Sequence, residues 1–409
     1  MVLEYKMTNF ICNLPWMHLS TFPHGSCTIC CVADHSGQQN GHSWNLNPDG
    51  SKQILTVKNS TIPEIINCDN FRSIRLDMIN GKVPPACNGC HKVEQSGGTS
   101  RRIRESRILL DVNNITDVNG YITPDLRHVE LRLGNYCNLK CRTCNADSST
   151  SWISDYHKLK DIINLASGYD AITNNPMYGF DWVDSEEWYN ELLENCPNLE
   201  QLHISGGEPF LVPKHFYCLQ KMVDNNKTNI SVHYHTNLNY DFDKIRPALD
   251  LLSKFKQVNI SFSIDDVDER NTYIRNSSNW DLTIKNLKLF LENYNFVYKI
   301  TQTINIYNFM YADELTSFIN NNAIGIEISF NHVHSPDYLM ANVLPKHIRQ
   351  EKINSLEGNI SKKNFDDLYG RYYNTDDNGL MEYFKYFTSE LDKLRNEDFK
   401  LHFSKLIEL

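Results

Sequence analysis

The sequence predicts an α/β protein whose centre is a partial (β/α)6 barrel. Between about residues 128 and 331, strand-like and helix-like patterns alternate, which is typical of βαβ units that share a parallel sheet. Six predicted strands suit a partial barrel. A cysteine-rich segment precedes this region. Charged, leucine-spaced segments follow it from Pro345 to the end, and there we expect peripheral helices that cover the barrel.

Each predicted strand is a short run rich in apolar and β-branched residues, and each predicted helix has a longer apolar period. The predicted strands lie near His128–Leu133, Leu199–Ser205, Asn229–Thr236, Gln257–Ile264, Val297–Ile306 and Gly325–His332. The predicted helices lie between them, near Ser185–Glu194, Pro213–Asn225, Phe242–Phe255, Trp280–Glu292 and Ala312–Asn322. In such barrels, functional residues gather at the carboxyl ends of the strands.

The length of 409 residues is typical of two or three domains. We predict an N-terminal cysteine-rich module over residues 1–110, a barrel over residues 120–340 and a C-terminal helical region over residues 341–409. Residues 1–100 differ from the rest because they are rich in Gly, Asn, Ser and Cys and carry many turn signals.

The charge distribution argues against nucleic acid as a partner. The net charge is −10, whereas a broad nucleic-acid-binding face needs clustered Lys and Arg to neutralise phosphates. One basic cluster is present at Arg101, Arg102, Arg104 and Arg107, interrupted by Glu105. We interpret this cluster as the solvated face of a helix, with an acidic docking partner as the alternative.

The same composition predicts a cytoplasmic protein. No stretch of about 18 apolar residues is present, so no membrane span is expected. The first ten residues include an acid and lack a long apolar region, so they do not read as a secretory signal. Twelve cysteines without an export signal indicate a reducing compartment and metal ligation in preference to disulfides.

The most informative motif is a C-x3-C-x2-C run formed by Cys137, Cys141 and Cys144, directly after the first predicted strand. Thiolates are the usual protein ligands of a 4Fe–4S cluster. Three local ligands leave one iron of the cube free to bind the amino and carboxylate groups of a small molecule. The alternatives are half of a zinc site, which usually needs a second cysteine pair, or reduced cysteines in a core.

This spacing resembles the signature of the radical S-adenosylmethionine (SAM) superfamily, and the resemblance implies that the three cysteines hold the catalytic cluster. Gly206, Gly207 and Glu208 follow the second strand and are similar to the superfamily element that meets the methionine amino group. Read alone, they could form a strand-ending turn in which the glycines permit close backbone approach. The chain departs from the pattern at Thr143, where the superfamily often has an aromatic residue near the adenine.

Later strands end in further polar residues that resemble SAM-binding positions. Thr236 and Asn237 follow the third strand, although polar residues there also cap helices. Ser263 and Arg275 resemble a pair that binds the SAM carboxylate, which suits the guanidinium fork. A loop arginine is otherwise usually solvated. Asn305, at the end of the fifth strand, is a further expected contributor.

The N-terminal cysteines Cys12, Cys30, Cys87 and Cys90 resemble the opening of SPASM and twitch domains, which are auxiliary-cluster modules of radical SAM enzymes. A full SPASM motif would have a further cysteine where this chain has Ser96. The resemblance therefore implies one auxiliary 4Fe–4S cluster in the twitch arrangement, giving two clusters in all. It covers about residues 10 to 340.

Two alternatives stay open for this module. Cys27-x2-Cys30 together with Cys87-x2-Cys90 would make a plausible structural zinc site, and Cys31 could replace its neighbour Cys30 as a ligand. The remaining cysteines have ordinary contexts, and we expect structural thiols at Cys68, Cys196 and Cys218.

The resemblance implies an enzyme that reductively cleaves SAM to a 5′-deoxyadenosyl radical, which abstracts hydrogen from a substrate. The expected substrate is a peptide or protein, with a small metabolite as the alternative, and the expected electron donor is a flavodoxin or ferredoxin. A different class of function is a non-catalytic iron–sulfur protein that transfers electrons or binds a partner. The intact cysteine triplet and Glu208 argue against that alternative.

Overall fold

A computed structural model describes residues 10–33, 40–95, 97–105, 110–162 and 167–406. Ser96 and Arg107 lie outside these described residues. The chain forms two compact units. The first unit comprises Met1–Gly134, Asp170–His233 and Lys254–Gln257, and the second comprises Asn135–Tyr169, Tyr234–Ser253 and Val258–Leu409. The predicted domain boundaries near residues 110, 120 and 340 remain a prediction.

The described residues form ten strands. These are β1 (His18–Thr21), β2 (Cys27–Thr28), β3 (Trp44–Leu46), β4 (Lys52–Ile54), β5 (His128–Leu133), β6 (Gln201–Gly206), β7 (Ser231–Thr236), β8 (Gln257–Ser263), β9 (Val297–Ile304) and β10 (Glu327–His332). All six strands predicted from the sequence are therefore present as β5 to β10, and each predicted boundary is correct to within two residues.

The described residues also form seventeen α-helices. In the N-terminal half these are α1 (Leu14–Met17), α2 (Ile62–Ile66), α3 (Asp69–Ile79), α4 (Asn88–Gln95), α5 (Arg101–Glu105), α6 (Ile153–Leu159), α7 (Tyr169–Thr173) and α8 (Glu186–Glu194). The later helices are α9 (His215–Asp224), α10 (Phe242–Leu252), α11 (Asp268–Ile274), α12 (Trp280–Asn293), α13 (Glu314–Asn321), α14 (Lys346–Ser355), α15 (Lys362–Leu368), α16 (Met381–Arg395) and α17 (Phe399–His402). The five helices predicted between the strands are α8, α9, α10, α12 and α13.

In the first unit, β5 pairs in parallel with both β1 and β6, and β2 pairs antiparallel with β1. The β5–β6 register runs from His128 opposite Gln201 to Leu133 opposite Gly206. Alternate residues of β5, beginning at Val129, are almost fully buried, as expected for a strand with one face packed against helices. The carboxyl ends of β5 and β6 therefore lie side by side.

The sequence does not predict β1, which contributes a parallel strand beside β5. All four of its residues are buried, so it lacks the alternation of buried and exposed positions that marks a longer strand. Its parallel pairing shows that part of the N-terminal segment belongs to the sheet of the first unit.

In the second unit, β8, β9 and β10 are parallel neighbours. An aromatic-rich core packs here, drawn from the segments after these strands and from the C-terminal helices, and it includes Tyr273, Tyr307, Phe309, Phe387 and Phe403. The predicted peripheral helices after Pro345 are present as α14 to α17. The protein thus has a mixed α/β fold with parallel strands, while the partial-barrel closure remains a prediction.

Among the described helices, none has the length and apolar character needed to cross a bilayer.

Candidate functional site

The cysteine loop, residues 137–145, belongs to the second unit and lacks regular secondary structure. A tight turn within it is closed by the amide of Cys144, which donates to the Cys141 carbonyl at 3.0 Å. Downstream side chains hold its carbonyls: the Ser151 hydroxyl donates to Cys137 at 2.9 Å, and the Trp152 indole donates to Cys141 at 2.7 Å. The segment leading into α6 therefore shapes the loop.

A second set of backbone contacts ties the cysteine loop to the end of α11. The amide of Lys140 donates to the Asn276 carbonyl at 3.0 Å, and the amide of Arg142 donates to the Ile274 carbonyl at 2.7 Å. These bonds join segments more than 130 residues apart in the chain. Since buried backbone groups need such partners, the loop depends on the second unit being folded.

The thiols of Cys137 and Cys141 lie near that of Cys144. Burial, followed by these two thiols, raises the pKa of Cys144 to about 12. Burial also raises the pKa of Cys141, against which the Arg275 guanidinium acts to lower it. Three neighbouring, partly buried cysteines are the donor set that an iron–sulfur cluster uses, so the residues fit such a group.

Within the described parts of the chain, no three His, Cys, Asp or Glu side chains are already arranged as ligands of a metal ion. The three thiols of the cysteine loop therefore lie near one another but do not have the geometry of metal ligands. Deprotonation and small side-chain rotations accompany metal binding to thiols.

Asn237 meets the cysteine loop at the end of β7. Its amide nitrogen lies 3.8 Å from the Cys137 sulfur and donates to the Asn138 side chain at 2.9 Å. Thr236 is buried, and its hydroxyl shares a hydrogen bond with the Tyr240 hydroxyl at 2.7 Å. The structure therefore brings Asn237 to the predicted cluster, whereas the side chain of Thr236 packs within the second unit.

Arg275 is buried beside the cysteine loop, and this contrasts with a solvated loop arginine. Its guanidinium donates to Asp265 at 3.1 Å, while its Nε atom has no hydrogen-bond partner among the described residues. Although burial acts to lower the pKa of Arg275, the net shift is upward, because the Cys141 thiol and the Asp265 carboxylate both raise it. Ser263 ends β8, two residues before Asp265, and is half-buried.

Asp265 is the acidic partner that the sequence analysis missed. Besides Arg275, its carboxylate accepts from the Thr303 amide at 2.9 Å, which couples the ends of β8 and β9. Asn305 holds the turn after β9: its side chain donates to the Thr303 carbonyl at 2.8 Å and accepts from the Tyr307 amide at 2.9 Å. The signal available in the sequence for Asp265 was an acidic residue directly after the predicted strand Gln257–Ile264.

In the first unit, β6 ends at Gly206 and continues into Gly207 and Glu208. Gly206 has φ +123°, and a Cβ atom there would lie 2.5 Å from the amide nitrogen of Leu133 on the neighbouring strand. Only glycine fits at this position. Glu208 is 1% exposed, and its carboxylate accepts from the Phe210 amide at 3.3 Å. The carboxylate is thus held in place by the chain immediately after it.

The four predicted N-terminal ligands line one small, largely apolar pocket of the first unit: Cys12, Cys30, Cys87 and Cys90. Burial raises the pKa of Cys12 to about 12, and the Cys90 thiol adds to that shift. Burial also raises the pKa of Cys87, with the Cys12 and Cys90 thiols as further causes. The structure therefore brings together cysteines from three separate segments of the chain.

Cys27 does not join this pocket. It is fully buried, and its thiol donates to the Gly25 carbonyl at 3.9 Å. Burial, followed by the neighbouring thiol of Cys68, raises the pKa of Cys27. The arrangement gives no support to the zinc alternative built on Cys27 and Cys30.

Two arginines of the basic cluster, Arg101 and Arg102, are not solvated, which corrects the interpretation from the sequence for these two, while Arg104 is exposed as expected. Arg101 forms an ion pair with Glu130 at 2.5 Å and also donates to the Cys31 sulfur. Arg102 is 6% exposed and forms an ion pair with Glu94 at 2.5 Å. Both guanidiniums form ion pairs within the first unit, because a buried cation requires an anionic partner.

Comparison with known families supports a relationship to one superfamily. The model of the Radical SAM superfamily matches residues 131–314, a segment that contains the cysteine loop, Glu208, Asn237 and Arg275. This match supports the superfamily relationship for the central part of the chain.

A curated relative is an uncharacterized protein of Methanocaldococcus jannaschii, MJ0907, which is 26% identical over 215 residues. The match covers 50% of this chain and 62% of the relative, so this chain spans less than two thirds of that protein.

Solved structures with some likeness include anSMEcpe with bound AdoMet, at 16% identity and a TM-score of 0.37, covering 56% of this chain and 58% of that one. Another is SuiB of Streptococcus suis, at 15% identity and a TM-score of 0.35, covering 81% of this chain and 67% of that one. At these TM-scores the structural likeness does not by itself establish a shared fold.

Proposed function

We propose that this protein is a radical SAM enzyme whose catalytic cluster is held by Cys137, Cys141 and Cys144. The observation that carries the proposal is the cysteine loop itself: three thiols within eight residues of chain, beside the buried Arg275 guanidinium, whose Nε–H has no hydrogen-bond partner among the described residues. The superfamily match over residues 131–314 supports it. A 4Fe–4S cluster held by these three cysteines would supply one electron for the reductive cleavage of SAM to methionine and a 5′-deoxyadenosyl radical, which would remove a hydrogen atom from the substrate.

The protein's own residues bind and orient SAM in this proposal. The Glu208 carboxylate accepts a hydrogen bond from the methionine ammonium, because a buried carboxylate forms a strong charge-assisted hydrogen bond. Gly206 and Gly207 before it allow the backbone to approach SAM. The Nε–H of Arg275 has no hydrogen-bond partner in the described part of the chain, so it suits the methionine carboxylate. Asn237 steadies the loop next to Cys137. Ser263, Thr236 and Asn305 remain predicted contributors.

We further propose one auxiliary 4Fe–4S cluster in the first unit, as in a twitch-type module, bound by Cys12, Cys30, Cys87 and Cys90. Its support is that these four residues line one pocket, that the Cys90 thiol contributes to the raised pKa of Cys12, and that the Cys12 and Cys90 thiols contribute to the raised pKa of Cys87. Cys30 is preferred over Cys31 because Cys31 accepts a hydrogen bond from Arg101. Such a cluster would take an electron from the substrate radical or bind the substrate.

The proposed substrate is a peptide or protein, with a small metabolite as the alternative, and the proposed electron donor is a flavodoxin or ferredoxin. We place the enzyme in the cytoplasm, because all twelve cysteines are free thiols and a reducing compartment keeps them so.

The test is anaerobic incubation of the reconstituted full chain with SAM and a strong reductant, followed by quantification of 5′-deoxyadenosine. The enzyme produces it only when both SAM and reductant are present, so omission of either is the control. A protein that holds iron and sulfide and yields none would instead be a non-catalytic iron–sulfur protein.

The auxiliary cluster has its own measurement. Reconstituted protein should contain roughly eight irons, four for each cube. About four irons together with zinc would contradict the auxiliary cluster and restore a structural zinc site.

A further inference from the structure

Two ion pairs of opposite polarity join the C-terminal end of α16 to the cysteine loop and to α6, the helix that follows the loop. In one, the loop supplies the cation: the Arg142 guanidinium pairs with Asp392 and, at 2.6 Å, with Glu397. In the other, α16 supplies the cation: Arg395 pairs with Asp155 at 2.9 Å. Asp155 also pairs with Lys140 of the loop at 3.1 Å.

Arg142 has partners on Nε and Nη2, while its Nη1 has none among the described residues. It is 0% exposed, its Nε donates to the Tyr273 carbonyl at 3.2 Å, and its guanidinium lies 3.6 Å from the centre of the Tyr273 ring. Two carboxylates compensate its charge. Breaking such a buried pair by removing one partner is costly, because it leaves an uncompensated charge.

Arg395 differs from Arg142 because most of its hydrogen-bonding capacity is unused. Its side chain is 1% exposed. Its Nε donates to Asp155, whereas Nη1 and Nη2 have no hydrogen-bond partner among the described residues. Burial, and then the nearby Arg142 guanidinium, lower the pKa of Arg395. A buried cation with two free nitrogens is expensive unless a further anionic group balances it.

The anionic group that fits is the cluster expected at the cysteine loop. The Arg395 guanidinium lies 4.7 Å from the centre of the Trp152 ring, and the Trp152 indole donates to the Cys141 carbonyl at 2.7 Å. Arg395 is therefore near Cys141, and its positive charge acts to lower the pKa of the Cys141 thiol. Three thiolates around a cube concentrate negative charge there.

We infer that Arg395 is a positioning residue of the cluster site. It holds the cysteine loop through Asp155, which also pairs with Lys140 of the loop, and it provides positive charge and N–H groups near the Cys141 sulfur. The inference rests on the proposed function, since it requires a cluster at the loop. Arg395 lies outside residues 131–314, where the superfamily model matches. Positive charge and hydrogen bonds to sulfur favour the reduced, more negative cluster and so raise its reduction potential.

The test is an EPR-monitored redox titration of the reconstituted full chain with Arg395→Met, which keeps the side-chain bulk and removes the charge. The expected result is a more negative midpoint potential, with at least a tenfold loss in the equilibrium constant for reduction, equivalent to about 59 mV for one electron. Lys393→Met is the matched control, because Lys393 is on the same helix with 68% of its side chain exposed. It should leave the potential unchanged.

Arg395→Lys separates position from charge, since it keeps the cation and loses the planar fork. Its potential should lie between those of the wild type and Arg395→Met, and it serves alone if the methionine variant does not fold. An unchanged potential in either folded, iron-loaded variant would overturn the inference while SAM cleavage by the wild type persists. Failure of the wild type to bind a cluster at the loop would instead refute the proposed function.

Discussion

The two groups of cysteines differ in how the chain assembles them. In the second unit, three thiols come from one loop of eight residues, Cys137 to Cys144, surrounded by charged side chains such as Arg275 and Arg395. In the first unit, four thiols come from three separate segments and line a largely apolar pocket. The first arrangement is written locally in the sequence, while the second exists only once the unit has folded.

This difference predicts different consequences of removing the metal. Ligands from distant segments close long stretches of chain, so metal binding there contributes to folding free energy. A loop that supplies three ligands by itself closes little chain, and its charged surroundings serve the chemistry of the bound group. We therefore expect the loop group to control reaction and the pocket group to contribute more to stability.

The largest effect is expected for the loop group. Replacing Cys137, Cys141 and Cys144 together with alanine removes the iron that chelates SAM, so 5′-deoxyadenosine formation should be abolished. Iron content should fall from roughly eight to roughly four per chain. The matched control replaces Cys196 and Cys218, buried thiols of neither group, and should keep its iron. Residual 5′-deoxyadenosine from the triple variant would remove the loop from the proposed role.

The pocket group should fail in a different way. In the variant with Cys87 and Cys90 replaced by alanine, the cysteine loop keeps its own ligands, so SAM cleavage should continue while substrate conversion is lost. Its thermal unfolding temperature should also fall, because the metal no longer contributes to folding. Once a substrate is identified, mass spectrometry of the product beside quantification of 5′-deoxyadenosine measures how far SAM cleavage is uncoupled from substrate conversion. A folded variant that converts substrate at the normal rate would leave the pocket with a structural role only.

A smaller effect separates SAM binding from iron binding. Glu208→Gln removes a charge-assisted hydrogen bond to the methionine ammonium, so SAM affinity should weaken by roughly 10- to 100-fold. Iron content should not change, since Glu208 is not a ligand. Equilibrium binding measures the effect, and Glu269→Gln is the control because the Glu269 side chain is 88% exposed. Equal affinity in wild type and Glu208→Gln would exclude Glu208 from the SAM site.

The smallest expected effect tests whether a carboxyl of the second unit, as distinct from the thiols, contributes to the pH dependence of stability. Burial raises the pKa of Asp266 to about 7 despite its ion pair with Arg270. Between about pH 4 and 7 the folded protein keeps a proton that the unfolded chain has released, so stability from this group falls as pH rises.

Asp266→Asn removes this titration. The free energy of unfolding of the wild type, relative to that of Asp266→Asn, should therefore decrease from pH 5 to pH 8 by about 3 kcal/mol, since about two pH units at 1.36 kcal/mol each separate pH 5 from the raised pKa of about 7. Urea unfolding of both proteins at each pH measures it. A constant difference between them would show that Asp266 ionises at its ordinary pKa.

Much of the fold could be predicted because its signals are local. The runs that form β5 to β10 and the helices between them carry periodic apolar patterns, and the structure confirms them. β1 was missed because four buried residues carry no period. Asn237 was predicted to bind SAM at the end of β7, and the structure places its side chain beside the cysteine loop. The roles of the site residues remain predictions.

By itself, the sequence determined the spacing of Cys137, Cys141 and Cys144 and their position after a strand, because both are set within a few residues of chain. Only the tertiary structure decided which charges surround that loop. Arg142 meets a carboxylate 250 residues away, and Arg395 meets one 240 residues away. Buried ion pairs between such distant segments have no local pattern, and in sequence their members are indistinguishable from the charged residues of a solvated surface.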